Sequence, residues 1–213
     1  MNTPTRRSLA VATALVAAAG LAACSGDDAT GPSPALTATP PVTTPANPAL
    51  AGLVGPGCAA YVAKVPKGAG SVAGMADATL ATAAGKNPQL TMLTKAISGK
   101  LNPKVKLVGT LNGGEYTVFA PVDAAFAKLP AATTATLKTD GLQLTRVLTY
   151  HVVAGQLAPK DVVGKQKSVQ GGDLTVTGSG ESLKVDGANV ICGGIRTANA
   201  IVYLIDAVLI PPK

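Results

Sequence analysis

The sequence predicts an α+β domain, with helices in its first half and strands in its second. Three observations carry that assignment. Between residues 87 and 111, Leu, Ile and Val recur at three- and four-residue spacing behind two Asn-Pro pairs. Later the pattern changes to period two, with Asp173 to Thr177 and Ser182 to Asp186 on either side of Gly178-Ser179-Gly180. Ile201 to Ile210 is apolar at almost every position, as a strand covered on both faces must be.

Two segments precede the domain. Arg6 and Arg7 form a positive start, and Ser8 to Ala19 is almost wholly small and apolar. That run suits a signal-peptide core and falls short of the roughly 20 residues a membrane span needs. Leu21-Ala22-Ala23-Cys24 then matches the bacterial lipobox, in which small residues precede a cysteine that is acylated and becomes the new N-terminus. The expectation is a signal peptide over 1–23 and a diacylglyceryl-type lipid on Cys24. The chain would be held at the extracytoplasmic face of the cell membrane, at the cell surface, or released from it. The alternative is an ordinary secretory signal cut after Ala23, which would leave Cys24 as a reactive free thiol outside the cell. The residues around Arg6-Arg7 match a twin-arginine signal poorly.

Residues 24–50 are rich in Pro, Thr, Ala and Gly, with no helical or strand period. This composition cannot bury enough apolar surface to offset its ordering entropy, so an extended tether is expected. At about 3.1 Å per residue it would reach on the order of 75 Å. Thr37, Thr39, Thr43 and Thr44 lie among its prolines and are candidate O-glycosylation sites, although an unmodified spacer would have the same composition.

Residues 51–213 have the size of one domain. With no Trp and two Phe, its core must be built from Val, Leu, Ile and Ala. The chain's formal charge is +7, or +5 once Arg6 and Arg7 leave with the signal. The lysines are scattered and not interleaved with aromatics, which describes a solvated surface and argues against nucleic acid. With Cys24 acylated, Cys58 and Cys192 remain as an even pair in an exported chain, and a disulfide is expected. Two buried free thiols are the alternative.

The elements follow in order. A loose Ala-rich helix is expected over residues 72–84. Asn87-Pro88 starts the next, with Asn as N-cap, and Gly99 ends it; Asn102-Pro103 starts another that stops at Gly113-Gly114. Tyr116 to Ala120 is a strand ending at Pro121, and Asp123 is placed to cap the turn after it. A helix covers about 142–149 with Leu144, Val147 and Leu148 inward. The Gly-Ser-Gly hairpin and the apolar strand complete the domain.

Three stretches, "TVFAPVDAAFAKLP" (117–130), "LTYHVVAGQL" (148–157) and "TANAIVYLIDAVLIPP" (197–212), resemble the fasciclin domain over nearly the whole segment. The lipobox, the cysteine pair and "CGGIRTANAIVYLIDAVLIPP" are similar to a narrower group, the surface lipoproteins and secreted immunogenic proteins of mycobacteria. The resemblance implies a fasciclin-like wedge, a small β-sandwich or barrel with helices packed along one edge. Val122 departs from the Thr usual at that point of the family's first motif, which leaves Asp123 as the capping residue.

The resemblance also implies a role for Tyr150 and His151, because in animal fasciclin proteins this region is implicated in receptor contact. The residues themselves favour a structural role: His151 stands between a helix and a strand with apolar neighbours. Asp206 lies among Leu204, Ile205, Val208 and Leu209, where a carboxylate must be paired or hydrogen-bonded; contacts around Thr117 or Asp123 are expected. Catalytic signatures are missing: no G-x-S-x-G, P-loop, G-x-G-x-x-G, C-x-x-C or H-E-x-x-H occurs. One His makes a transition-metal site a poor fit, and neither a cofactor nor an enzymatic role is expected. The resemblance implies display of one domain for adhesion to host cells, matrix or envelope components. A small apolar or lipid-like ligand, held in a cleft between helices and sheet, is the alternative.

Overall fold

The computed structural model describes residues 51–212. The expected signal segment (1–23), the tether (24–50), Cys24 and Thr37, Thr39, Thr43 and Thr44 lie outside the described residues.

Five short helices come first: α1 (Cys58–Lys64), α2 (Val72–Ala76), α3 (Leu80–Lys86), α4 (Thr91–Ile97) and α5 (Val108–Asn112). Strand β1 (Tyr116–Pro121) follows, then α6 (Asp123–Ala127), α7 (Ala131–Thr139) and α8 (Gly141–Tyr150). The remaining strands are β2 (Val152–Ala154), β3 (Gly164–Lys167), β4 (Asp173–Thr177), β5 (Lys184–Val185), β6 (Ala188–Arg196) and β7 (Ala200–Ile205). They form one sheet in the order β2-β1-β7-β6-β5-β4-β3. Only the β1–β7 pairing is parallel, with Tyr116 opposite Ala200 and Pro121 opposite Ile205. The sheet stays open, but an isolated Val153–Ser168 bridge brings the segment after β3 back against β2.

Strands β1 and β7 are buried on both faces and divide the core in two. Val118, Ala120, Val202 and Leu204 face the helices, where they join Leu93, Ile97, Leu144 and Val147. Phe119, Ile201, Tyr203 and Ile205 face the other way and meet Leu174, Val176, Leu183 and Val185. Period-two alternation with apolar residues on both faces is what a central strand requires. The Phe119 and Tyr203 rings lie with centroids 5.5 Å apart, within the range of favourable aromatic pairs.

Strand β6 bulges between Cys192 and Ile195, and two glycines make the bulge. At Gly193 a Cβ would collide with the Tyr203 ring. Gly194 has φ +78°, and a Cβ there would come 2.5 Å from the Gly52 carbonyl oxygen. The N-terminal segment docks beside this bulge through mutual Val54–Gly193 hydrogen bonds of 3.1 and 2.7 Å.

The expected elements are corrected in three places. Asn87 and Asn102 N-cap no helix; the N-cap positions of α4 and α5 fall to Leu90 and Leu107. Each Asn side chain accepts from the backbone N–H two residues on, Gln89 at 2.9 Å and Lys104 at 3.1 Å. Each carbonyl closes a turn, accepting from Leu90 and Val105 respectively. Proline suits the second position of such a turn as well as it suits a first helical turn, so the pair signals both. The expected helix over 72–84 is two helices, because Ala78 O accepts from Ala198 N and the chain breaks there. The apolar strand ends at Ile205 and does not run to Ile210.

Candidate functional site

Helix α8 hands over to β2 at the expected Tyr150-His151 pair. Asp140 starts the helix, its carboxylate accepting from Leu142 N at 2.9 Å and Gln143 N at 3.0 Å. Leu144, Val147 and Leu148 face the core. At the far end the His151 ring folds back, and its Nδ1–H donates to Val147 O at 2.7 Å. Nε2 accepts from Leu209 N at 2.9 Å. A backbone N–H can only donate, so Nε2 carries the lone pair and Nδ1 the proton. Burial pushes this imidazole down to about 4, although its bond to Val147 and the charge of Asp186 act in the opposite direction.

Tyr150 turns into the other half of the core. Its hydroxyl lies 2.8 Å from Asp186 Oδ2 and 3.0 Å from Asp173 O. Burial, then the hydrogen bond and charge of Asp186, push the phenol up to about 12. Tyr150 and His151 are each only 3% exposed. Their rings tie α8 to the β4–β5 region and to the C-terminal segment. Both side chains are engaged inside the domain, in the kind of structural role their apolar neighbours favour.

The remaining expected residues fall in separate places. Cys58 and Cys192 are joined in a disulfide, Cα atoms 4.7 Å apart, which links α1 to the β6 bulge. Asp123 does not cap its own helix, where it is already the first helical residue. Its carboxylate reaches α4 and accepts from Thr91 Oγ1 and, at 2.8 Å, from Met92 N. The cap crosses between helices, so local spacing could not assign it.

Asp206 lies just past the end of β7 and is not a mid-strand residue. Its Oδ1 accepts from Asn189 N at 2.8 Å, and its Oδ2 from Asn189 Nδ2 at 3.0 Å. Lys128 Nζ stands 3.4 Å from Oδ2 and 2.9 Å from the Asp206 carbonyl. Partial burial raises this carboxyl, but the Asn189 bonds and then Lys128 outweigh it and hold the group below its ordinary value. The expected Thr117 contact is absent: Thr117 Oγ1 instead donates to Gly155 O at 2.7 Å and accepts from Leu157 N at 2.8 Å. Asp206→Asn keeps one acceptor oxygen and removes the charge. We expect a loss of about 1–2 kcal/mol, a few degrees in Tm, read by thermal unfolding. An unchanged Tm would remove Asp206 from the structural residues.

Between the helices and the sheet lies an apolar cavity of about 50 Å³. Met75, Leu80, Leu93, Leu111, Val118 and Val202 are among its lining residues, and His151 reaches its wall. It can take apolar groups and has no set of convergent polar groups to orient a reacting substrate. Among the described residues, no group of three or more His, Cys, Asp or Glu side chains is arranged to hold a metal ion.

A family model described as "Fasciclin domain" matches residues 88–211. The cell surface glycolipoprotein MPB83 of Mycobacterium bovis is 54% identical over 218 residues, covering 100% of this chain and 99% of its own length. The immunogenic protein MPB70 of the same species is 61% identical over 166 residues, covering 78% of this chain and 86% of its own. Among solved structures, a FAS1 domain pair from the insect cell adhesion molecule fasciclin I aligns with a TM-score of 0.45 at 19% identity. That alignment covers 59% of this chain and 46% of that one.

Proposed function

This chain belongs to the fasciclin-domain family, and from that premise we propose that it is a lipid-anchored envelope protein that displays one fasciclin domain outward. In this reading residues 1–23 direct export, Cys24 carries the lipid, residues 24–50 form the tether and residues 51–213 the displayed domain. The domain is non-catalytic and works by adhesion to host cells, matrix or neighbouring envelope components. One observation carries the reading: the 54% identity to a cell surface glycolipoprotein extends over 100% of this chain, leader and tether segment included. The lipobox spacing at Cys24 supports it independently.

The test has two arms. Wild-type chain expressed in its host should fractionate with membranes and be cleaved by protease added to intact cells. The Cys24→Ser chain should appear in the medium. Retention of Cys24→Ser in membranes washed with high salt would overturn the anchor. The released chain, disulfide intact, should then bind host cells or matrix saturably, and failure to bind any of them would overturn direct adhesion.

The apolar cavity favours the lipid-like ligand as a second reading, but its size weighs against it. Engineered cavities that hold benzene measure about 150 Å³, and this one is a third of that. An alkyl chain would fit only if the lining elements moved apart. Stoichiometric lipid extracted from protein purified out of its host would promote this reading over adhesion.

A further inference from the structure

The positive charge is unevenly placed. Residues 78–114 carry five lysines, Lys86, Lys95, Lys100, Lys104 and Lys106, and no Asp or Glu. The last four lie on α4 and the loop that follows it. The loop after α4 turns back on itself, with Leu101 N donating to Lys95 O at 2.9 Å and Leu107 N to Ile97 O at 2.9 Å. At its turn Gly99 has φ +82°, and a Cβ there would lie 3.4 Å from Lys106 Cγ, so Lys106 packs against the turn that leads into Lys100. Lys104 leans on the start of α8: its Cβ is 3.0 Å from where a Cβ on Gly141 would stand.

The next residue of α8 is Leu142, which is 82% exposed. The other exposed large apolar residues among those described lie between 37% and 49%. Lys138, at the end of α7, is exposed on the approach to the same corner. Ion pairs among the described residues are confined to Lys128–Asp206 and Lys160–Asp161, so none of these lysines has an acidic partner. Asp140, the acid closest in sequence to Leu142, is held by the first amides of α8.

We propose that Lys95, Lys100, Lys104 and Lys106, with Leu142 among them, dock the domain onto a bilayer of anionic lipids. Lysines alone would suit any polyanion. Leu142 favours a bilayer over a soluble polyanion, because an apolar side chain can enter the hydrocarbon that lies under the charged headgroups. The contact rests on the anchored reading for its biological setting, since a tether on Cys24 would hold the patch near the membrane. It would act as a second, salt-sensitive attachment that switches the domain between lying on the membrane and standing away from it.

The assay uses the full exported chain as Cys24→Ser, disulfide intact, so that no acyl chain contributes. Its outcome is therefore independent of whether Cys24 is lipidated, which the mass of the Cys24 peptide from wild-type cells reports separately. The chain should sediment with vesicles of phosphatidylcholine mixed with phosphatidylglycerol, not with phosphatidylcholine alone, and salt should release it. At about fivefold per lysine near an anionic surface, Lys100→Gln/Lys104→Gln/Lys106→Gln should cut partitioning on the order of 100-fold. The matching Lys→Glu set should cut it further, and Leu142→Ser about tenfold. Thermal unfolding should show all variants folded like the parent. Equal binding to neutral vesicles, or no binding to either, would overturn the proposal. So would binding that Leu142→Ser leaves unchanged, which would reassign the patch to a soluble polyanion.

Discussion

Replacing Cys58 and Cys192 together by Ser is expected to lower the unfolding free energy by about 3–5 kcal/mol and Tm on the order of 10 °C. The bond joins residues 134 apart in sequence. The chain-entropy relation gives about 5 kcal/mol for a loop of that length, an upper figure because unfolded chains retain structure. Against a typical domain stability of about 5–15 kcal/mol this is a large share. The folded state should change little. Gly57 N donates to Ile191 O at 2.8 Å, and the Val54–Gly193 pair forms without the sulfurs. Gly57 also has no room for a side chain: a Cβ would collide with the Ile191 side chain. The disulfide therefore acts mainly on the unfolded chain, clamping α1 and the segment before the family match to the β6 bulge. Urea unfolding of oxidised parent and double variant checks this. A loss under about 1 kcal/mol would mean that the loop closure contributes little.

Stability should also fall as pH drops from about 6.5 to 4, through His151. The folded value of about 4 lies below the ordinary 6.5. Between those limits the unfolded chain binds a proton that the folded domain excludes. Stability is then fully present above about 6.5 and is lost as pH falls toward 4, by about 3 kcal/mol if the whole shift is realised. Asp206 acts in a different window. Its depressed carboxyl loses its contribution only below the ordinary carboxylate value of 3.8, as pH falls through its folded value. His151→Ala should flatten the upper window. It should also cost about 3–5 kcal/mol, because Val147 O and Leu209 N–H are left buried without partners beside a new void. Urea midpoints across that pH range test both statements. If the parent shows no slope between pH 4 and 6.5, the imidazole is not held neutral by burial.

The sequence showed where the core strands run more clearly than where the helices begin. The alternation in β1 and β7 is local, and a strand buried on both faces leaves the same apolar record wherever it sits in the sheet. The Gly178–Gly180 hairpin was legible for a similar reason, since Val176 and Val185 pair across a short connection. Helix α7 was not legible. It buries Leu137 alone, and Thr136 and Thr139 turn their hydroxyls back onto its own carbonyls, so it carries almost no amphipathic period. Strand β3 was hidden too: Gly164–Lys167 is an edge strand, and its lysines read as loop.

Helix caps show the limit most plainly. Asn199 Oδ1 accepts from Leu80 N at 2.9 Å, and Asn112 Oδ1 from Ala81 N at 3.1 Å, so α3 is capped by residues far along the chain. Asp123 does the same for α4. The Asn-Pro pairs that look like caps are turns. Cap preference reflects any oxygen placed near free amides, and sequence shows only the oxygens that are close in number.

By itself the sequence determined the α+β class, the family, the candidate anchor at Cys24, the apolar strand and the pairing candidates Cys58 and Cys192. Each rests on order or periodicity along the chain, which survives without coordinates. Tertiary structure alone decided that Tyr150 and His151 face inward, that Asp206 holds Asn189 and Lys128, and that Lys104 lies against the start of α8, next to an exposed Leu142. Those depend on which distant segments are brought within a few ångströms, and hydrogen bonds and charge clusters exist only at that range.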